Sequence, residues 1–175
     1  TSKCCDQIIK FNIIPIINNF DQLNIIENYS KKIKYVLHID TGMNRLGFHI
    51  NNVEKLNEKV SVNNILFIMS HLSSSDDKDT KECKLQLSKL KKINKYFKKP
   101  MSIANSAGIF LGKPFYLDYV RPGKSLYGIN PFINKTFGLK PAMSIYVPIL
   151  QVSNLKKGKT IGYSKTFRAN REMKV

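Results

Sequence analysis

An arginine held between two glycines is the first residue whose setting in this sequence suggests chemistry. The segment 40–48, Asp-Thr-Gly-Met-Asn-Arg-Leu-Gly-Phe, follows an apolar run at 35–39 and precedes a polar, helix-like segment at 51–59. Because glycine lets the backbone turn tightly, this turn can aim the guanidinium of Arg45 at an anionic ligand. An ordinary loop with a surface arginine explains the same pattern, and the turn alone leaves both interpretations open.

The choice of arginine favours the functional interpretation. The chain has 29 lysine and arginine residues, and only four are arginine: Arg45, Arg121, Arg168 and Arg171. Lysine therefore supplies the general surface charge, whereas arginine offers a rigid planar group that lysine cannot imitate. Arg45 and Arg121 both lie in glycine-containing turns after apolar runs, which indicates that these two are placed for their geometry.

Short apolar runs recur along the first part of the chain and predict buried strands. The predicted strands are 13–17, 35–39, 65–69, 101–104 and 116–120. Runs of this kind, rich in isoleucine and valine, are typical of strands that are covered on both faces of a parallel sheet.

Helical patterns separate these runs. Asp21 is a candidate N-cap for a helix at 21–29, and a short amphipathic helix is predicted around 53–56. Asp79 and Glu82 resemble a capping box. The helix that follows them has one apolar face: Cys83, Leu87, Leu90, Ile93 and Phe97. The alternation of strand and helix predicts a parallel α/β fold, either an open sheet or a barrel.

Polar residues capable of chemistry lie where four of the predicted strands end: Arg45, His71, Asn105, Ser106, Arg121 and Gly123. Each also has a plain structural explanation: a structural histidine whose hydrogen bonds are made within the fold, a helix cap or a turn residue. However, the carboxyl ends of parallel strands meet at one edge of the sheet, and these ends form the binding sites of such folds. We therefore expect one shared pocket.

A phosphate group suits this pocket. Ser106 and the backbone amides around Gly123 and Lys124 can donate hydrogen bonds to phosphate. Arg121 and His71 could then address the ring of a phosphorylated cofactor. Since barrels often bind phosphate with the loops that follow their last strands, the residues predict a phosphate-bearing ligand in a βα barrel.

The pattern changes after Gly138. A long β-like run covers 141–152, and a second strand candidate covers 160–167, with no helix between them. We therefore predict an α/β domain at 1–138, which is part of a barrel, and the beginning of an all-β domain at 139–175.

The net charge of +17 suggests a nucleic-acid partner. The lysines are nevertheless spread along the whole chain, and lysine, asparagine and isoleucine all have A/T-rich codons, so genome composition explains the charge. Arginine interleaved with aromatic residues, which supports RNA binding, is absent. We expect no nucleic-acid role and keep a basic RNA-binding module as an alternative.

The three cysteines, Cys4, Cys5 and Cys83, include no Cys-x-x-Cys spacing, which argues against a disulfide framework and a zinc site. A cytoplasmic location and no metal are therefore expected. No stretch approaches the roughly 20 apolar residues that a membrane-spanning helix needs.

Six motifs, in this order and at about the right spacing, resemble the alanine racemase family: Asp-Thr-Gly-Met-Asn-Arg-Leu-Gly-Phe, Ser-His-Leu, Ala-Asn-Ser-Ala, Val-Arg-Pro-Gly, Leu-Tyr-Gly-Ile-Asn-Pro and Ile-Gly-Tyr-Ser-Lys-Thr-Phe. The resemblance implies an isomerase that interconverts L-alanine and D-alanine through a pyridoxal 5'-phosphate (PLP) Schiff base and supplies D-alanine for peptidoglycan. It also implies an N-terminal (β/α)₈ TIM-like barrel and a C-terminal β domain.

The resemblance assigns roles by position. Arg45 matches the arginine near the phenolic oxygen of the cofactor, and Arg121 matches the arginine that faces the pyridine nitrogen, with His71 as its hydrogen-bonding neighbour. The phosphate-binding turn is matched by Ser106, beside Asn105, and by Gly123 and Lys124. The family more often has an apolar residue at position 124, but the contact there is made by the backbone amide.

Tyr163 matches the tyrosine that acts as acid/base on one face of the substrate, in the pocket of a partner subunit, so a homodimer is implied. Racemisation removes the α-proton and returns it to the other face, which requires two acid/base groups. A phenol with an ordinary pKa of about 10 needs cations nearby to act as a base. Arg121, acting through His71, could supply this charge.

Two departures bear on activity. His38 occupies a position where many family members have a lysine. No segment matches the family's N-terminal motif, Val-Val-Lys-Ala-Asn-Ala-Tyr-Gly, which carries the Schiff-base lysine. We therefore expect this chain to be inactive alone and to need a complementary N-terminal fragment. A non-catalytic remnant of a split or decaying racemase gene is the main alternative, and a PLP-carrier protein on a similar barrel is a further one.

Overall fold

A parallel sheet organises the first unit of the structure, a computed structural model that describes residues 2–77, 79–133 and 137–175. The described chain divides into two units, Thr1–Ala142 and Met143–Val175. The strands of the first unit are β1 (Ile16–Ile17), β2 (Tyr35–Asp40), β3 (Phe48–His49), β4 (Ile65–Met69) and β5 (Met101–Ser102).

All pairings in this sheet are parallel, and the spatial order β1-β2-β4-β5 follows the order of the chain, with the short β3 also pairing with β2. Parallel strands that are neighbours both in sequence and in space are the arrangement of an α/β barrel. The predicted parallel α/β fold is confirmed.

Helices connect the strands: α1 (Ser2–Lys10), α2 (Phe20–Glu27), α3 (Val53–Lys59), α4 (Lys81–Phe97) and α5 (Ser106–Ile109). The predicted apolar face of α4 packs into the core, because Cys83, Leu87, Leu90, Ile93 and Phe97 are all buried. Strand β2 is buried from Tyr35 through Ile39, as its continuous apolar run predicts for a sheet covered on both sides.

Two predicted helix caps are wrong. The N-cap of α2 is Asn19, whose side chain accepts from the amide of Gln22 at 2.9 Å, and Asp21 lies inside the first turn. At α4 the N-cap is Thr80, which makes no side-chain cap bond. Asp79 instead accepts from the amide of Lys81 at 2.9 Å, so the expected capping box with Glu82 does not form.

The fifth predicted strand is also incorrect. Residues 113–115 form a 3₁₀ turn, and Leu117 has a φ of 50°, which no extended strand tolerates. A single parallel bridge between Ser102 and Tyr119 is what forms instead. The Arg121 amide still donates to the carbonyl of Ala104 at 2.9 Å, which keeps Arg121 beside the end of β5.

The second unit contains two short antiparallel pairs, β6 (Asn154–Leu155) with β9 (Met173–Lys174), and β7 (Thr160–Ile161) with β8 (Phe167–Arg168). The expected strand at 160–167 is interrupted by a 3₁₀ turn at Tyr163–Lys165, where Ser164 and Lys165 have positive φ.

The expected β-like run at 141–152 forms no strand and is exposed. Its alternating apolar pattern fits a strand, but a strand also needs a neighbour to complete its backbone hydrogen bonds. The assignment of 139–175 to the beginning of an all-β domain stays a prediction. Within the described residues, none of the helices combines the length and the hydropathy needed to cross a bilayer.

Candidate functional site

A cavity of about 260 Å³ opens at the carboxyl edge of the sheet. Six of the residues predicted from sequence line it: His71, Asn105, Ser106, Arg121, Gly123 and Lys124. Ser75, Asp76 and Ala107 complete the lining. The residues come from the loops after β4, after β5 and after the Tyr119 bridge, so the parallel sheet brings them together as expected.

The phosphate-binding candidates form a compact group. The hydroxyl oxygen of Ser106 accepts from the amide of Gly123 at 2.8 Å and from the amide of Ser125 at 3.2 Å. Both lone pairs of the buried Ser106 hydroxyl are therefore occupied, and its proton remains to be donated. The Ser125 hydroxyl oxygen is also buried and has no partner within the described residues.

Two further features suit an anion at this end. Lys124 is the first residue of a 3₁₀ turn, Lys124–Tyr127, and its own N–H has no acceptor inside that turn. A methyl group added at Gly123 would lie 4.0 Å from the Ser106 hydroxyl oxygen, so the glycine leaves this side of the cavity open.

Asn105 holds the neighbouring loops together. Its side-chain oxygen caps α5 by accepting from the amide of Gly108 at 2.9 Å, and it also accepts from the hydroxyl of Ser75 at 2.7 Å. Its amide nitrogen lies 3.5 Å from Nε2 of His71. The sequence interpretation of Asn105 as a cap therefore holds, and the residue also lines the cavity.

The guanidinium of Arg121 is half-buried and donates to the hydroxyl of Ser102 and to the carbonyl of Ser70. Burial lowers the pKa of Arg121 to about 10, so the group stays positively charged at neutral pH. Ser102 in turn donates to the carbonyl of Tyr119 at 2.8 Å. Arg121 is thus fixed by polar groups from two neighbouring strand ends, those of β4 and β5.

The expected hydrogen bond between Arg121 and His71 is not formed within the described residues. The guanidinium uses Ser70 and Ser102 instead, because both lie at the ends of the strands that flank it. Arg121 acts on His71 through its charge. Burial, and then the charges of Arg121 and Arg45, lower the pKa of His71, so the imidazole is neutral at neutral pH.

Arg45 lies near the cavity without lining it. Its turn is organised by Asp40, whose carboxylate oxygen accepts from the amides of Gly42, Met43 and Asn44 at 2.9, 2.9 and 3.1 Å. The side chain of Arg45 is exposed, and its charge lowers the pKa values of His38 and His71. The tight turn was predicted, but the role of Asp40 in building it was missed.

His38 is buried, and its Nδ1 lies 2.8 Å from the side-chain oxygen of Asn18. An amide oxygen can only accept, so Nδ1 carries the proton. Burial, followed by the charges of Arg121 and His71, lowers the pKa of His38 to about 4. The residue at this position is therefore a neutral imidazole.

Tyr163 lies in the turn between β7 and β8, in the second unit, and its side chain is 98% exposed. An acid/base that serves another subunit has to face outward, which agrees with this exposure. Its catalytic role stays a prediction.

Sequence reasoning missed the polar residues that support the cavity: Ser70, Ser75, Gln86 and Ser102. All four are buried, and all four hydrogen-bond to residues at the ends of the strands. The signal that could have found them is a polar residue inside an apolar pattern, since buried polar groups are nearly always hydrogen-bonded. Ser102 in β5 and Gln86 on the apolar side of α4 both show it.

Fold and site together define a parallel α/β domain with a cavity at the carboxyl edge of its sheet, lined by hydroxyl groups and by the cations Arg121 and Lys124. The sequence model of the family "Alanine racemase, N-terminal domain" matches residues 1–131. The chain belongs to this family, and the predicted family and partial barrel are confirmed.

Curated relatives agree with the family match. The chain is 38% identical to an alanine racemase of Rickettsia bellii over 175 residues, which cover 95% of this chain and 43% of the relative. An alanine racemase of Rickettsia canadensis is 37% identical over 174 residues, which cover 95% of this chain and 47% of the relative. The chain spans about half the length of the curated relatives it matches.

Solved structures agree as well. The alanine racemase of Bartonella henselae, which has covalently bound pyridoxal phosphate, superposes with a TM-score of 0.75 and 30% identity, covering 98% of this chain and 50% of that one. The biosynthetic alanine racemase of Pseudomonas aeruginosa superposes with a TM-score of 0.81 at 24% identity. The superposition covers 99% of this chain and 51% of that one, and it shows that the two share a fold.

Proposed function

We propose that this chain forms the cofactor pocket of a PLP-dependent alanine racemase, which interconverts L-alanine and D-alanine. The observation that carries the proposal is the grouping of Ser106, Gly123 and Lys124 with the charged guanidinium of Arg121 around one cavity. Bound PLP supplies an electron sink for negative charge at the α-carbon of the substrate.

The described residues fit this cofactor. The unused proton of Ser106 is a donor that a phosphate would satisfy. The hydroxyl of Ser125, buried and without a partner among the described residues, belongs to the adjoining turn. The Lys124 side chain adds a positive charge beside the same cavity. The phosphate end is therefore assigned to the turn of Ser106, Gly123 and Lys124. Ser106 and Lys124 are its donors, Gly123 is held in place by its bond to Ser106, and Asn105 holds the loop that carries Ser106.

Arg121 is assigned to the ring nitrogen of the cofactor. Its guanidinium stays positively charged, and the pKa of a basic nitrogen beside a fixed cation falls. Arg121 therefore keeps a facing nitrogen unprotonated, and the neutral His71 next to it adds no further charge. Arg45, exposed in its turn, is assigned to the phenolic oxygen, which as an anion would pair with it.

Tyr163 is assigned as the acid/base on one face of the substrate, acting in a second copy of the protein, which makes the enzyme a homodimer. Its exposure supports this assignment. The proposed product, D-alanine, supplies peptidoglycan synthesis, and the free, buried thiols of Cys5 and Cys83 support a cytoplasmic location.

The test is made on the protein expressed from its complete gene. PLP binding is followed by absorbance, any covalent adduct is reduced with borohydride and mapped to a peptide, and conversion of L-alanine to D-alanine is measured. We expect one labelled lysine and PLP-dependent conversion, and we expect Tyr163→Phe to bind PLP normally while losing most of the conversion. PLP binding without any conversion favours the non-catalytic remnant, and labelling scattered over many lysines contradicts the proposed pocket.

A further inference from the structure

Gln86 is a fully buried polar residue on the apolar side of α4, and its side chain binds only residues outside that helix. Its oxygen accepts from the amide of Ser73 at 3.0 Å and from the hydroxyl of Ser73 at 3.2 Å. Its nitrogen donates to the carbonyl of His71 at 3.0 Å and to the hydroxyl of Thr41 at 3.4 Å. All four hydrogen bonds that a carboxamide needs for full satisfaction are therefore made.

These partners belong to two separate loops at the carboxyl edge of the sheet. Thr41 follows β2, whereas His71 and Ser73 follow β4. Gln86 also lies close to the first of these loops, because a methyl group added at Gly42 would lie 3.6 Å from its Cγ. One side chain thus holds two loops against the same helix.

The hydrogen bonds continue from Thr41 to the cavity. The hydroxyl of Thr41 lies 2.7 Å from the hydroxyl of Ser70, and the carbonyl of Ser70 accepts from the guanidinium of Arg121. Lys89, also from α4, donates to the carbonyl of Thr41 at 3.2 Å. Gln86 therefore connects to His71 directly and to Arg121 through Thr41 and Ser70.

We propose that Gln86 is a positioning residue for the cofactor cavity: its carboxamide fixes the loops after β2 and β4 and thereby places His71 and Arg121. Gln86 itself does not line the cavity. The identity of the cofactor in this inference rests on the function proposed above, whereas the effect on His71 does not.

The physical reason lies in what a replacement would leave behind. A methionine fills a similar volume, but it takes away the acceptor of the Ser73 amide and the donor to the carbonyl of half-buried His71. The loop can recover those bonds by moving toward water, and such a movement takes His71 away from Arg121. We therefore expect Gln86→Met to change the positions of the residues that line the cavity, in addition to weakening the packing of α4.

The first test follows the titration of His71 by NMR with ¹³C-labelled histidine, in the protein expressed from its complete gene and without cofactor. The signal is assigned by its absence in His71→Gln. The charged and titratable groups near His71 are Arg121, Arg45, His38, and Asp76 and Lys124 of the same cavity. In Gln86→Met we expect the midpoint of His71 to rise toward its ordinary value, because exposure to water increases and Arg121 is farther away.

Three further variants separate positioning from stability. Gln86→Glu keeps the shape of the side chain but loses the amide nitrogen that donates to the carbonyl of His71. Its carboxylate also raises the midpoint through its charge, so in this variant only an unchanged midpoint is decisive. Ser73→Ala removes only the hydroxyl bond and should leave the midpoint unchanged. Ile93→Val trims a buried residue of α4 that has no polar contact, and it should likewise leave the midpoint unchanged.

The second test measures the dissociation constant for PLP. We expect Gln86→Met to weaken binding about tenfold and Ile93→Val to leave it unchanged. An unchanged His71 midpoint in folded Gln86→Met overturns the inference, and if that variant does not fold, the same result in Gln86→Glu does. If the unmutated protein fails to bind PLP, the proposed function fails, while the His71 titration still decides the role of Gln86.

Discussion

The hydroxyl oxygen of Ser106 lies 2.8 Å from the amide nitrogen of Gly123 and joins two loops that are 17 residues apart in sequence. This bond joins two segments that both line the cavity. It also orients the Ser106 hydroxyl, because an oxygen that accepts two N–H groups must direct its own proton elsewhere. A phosphate oxygen is a suitable acceptor for that proton.

Replacement of Ser106 by alanine should weaken the binding of PLP more than that of pyridoxal, which has no phosphate. A hydrogen bond to a charged group contributes about 1.5–3 kcal/mol, so a loss of roughly 10- to 100-fold in PLP affinity is expected. Pyridoxal affinity should change little. Both dissociation constants can be measured by absorbance titration.

The matched control is Ser61→Ala, which alters an exposed serine that makes no side-chain cap bond. It should leave both affinities unchanged. Equal losses of PLP and pyridoxal affinity in Ser106→Ala would assign Ser106 to loop structure and remove it from the phosphate site.

Gly47 should be intolerant of a side chain. Its φ is 109°, and a methyl group there would lie 2.9 Å from the amide nitrogen of Asp40 and 3.0 Å from the carbonyl oxygen of His38. We expect Gly47→Ala to lower the free energy of unfolding by more than about 2 kcal/mol, measured by urea denaturation.

Gly112→Ala is the control that separates backbone strain from steric contact, because Gly112 has a φ of 97° but open space around it. Gly112→Ala should lower the free energy of unfolding by less, about 1 kcal/mol. Equal losses in the two variants would show that the close backbone atoms around Gly47 add nothing to the strain.

The sequence predicted best those elements that are determined by local pattern. Strand β4 has the bounds expected from its apolar run, 65–69, and the apolar face of α4 is buried as its spacing indicated. The cavity was predictable because a parallel topology forces strand ends to one edge. Six of its lining residues could therefore be named without coordinates.

The sequence could not reveal features that depend on the backbone conformation of single residues or on contacts between distant segments. Asn19 and Asp21 are both good N-caps, and the backbone conformation of Asn19 decides between them. Residues 116–120 have an apolar pattern, but Leu117 at positive φ prevents an extended strand. Gln86 was missed because its polar partners come from loops that are distant in sequence.

The stability of the first unit should fall as the pH is lowered, because His38 is buried in its neutral form. Burial lowers its pKa from an ordinary value near 6.5 to about 4, so the folded state resists protonation that the unfolded state accepts. The stabilisation is complete above about pH 6.5 and is lost as the pH falls toward 4, with a total of about 3 kcal/mol. His71, whose pKa is also lowered, acts in the same direction.

Denaturation measured between about pH 6.5 and 5 checks this, since most carboxylates stay charged in that window. The slope of the free energy of unfolding against pH reflects the number of protons taken up on unfolding. In His38→Gln this slope should decrease, because the proton that His38 takes up no longer contributes. A slope that does not change would show that His38 is already accessible to protons in the folded state.

The charge of Arg121 should determine which reaction the cofactor supports. Arg121→Glu replaces a fixed cation by a carboxylate, which raises the pKa of a facing ring nitrogen and allows it to be protonated. In the protein expressed from its complete gene, we expect this variant to lose the proposed racemase activity and to gain measurable transaminase activity with alanine and an α-keto acid. Arg121→Lys is the control, because it keeps the positive charge while losing the planar group that binds both Ser70 and Ser102. It should lower the racemase rate without any transamination. Unchanged reaction specificity in Arg121→Glu would place the guanidinium away from the ring nitrogen and leave it only the task of holding the strand ends together.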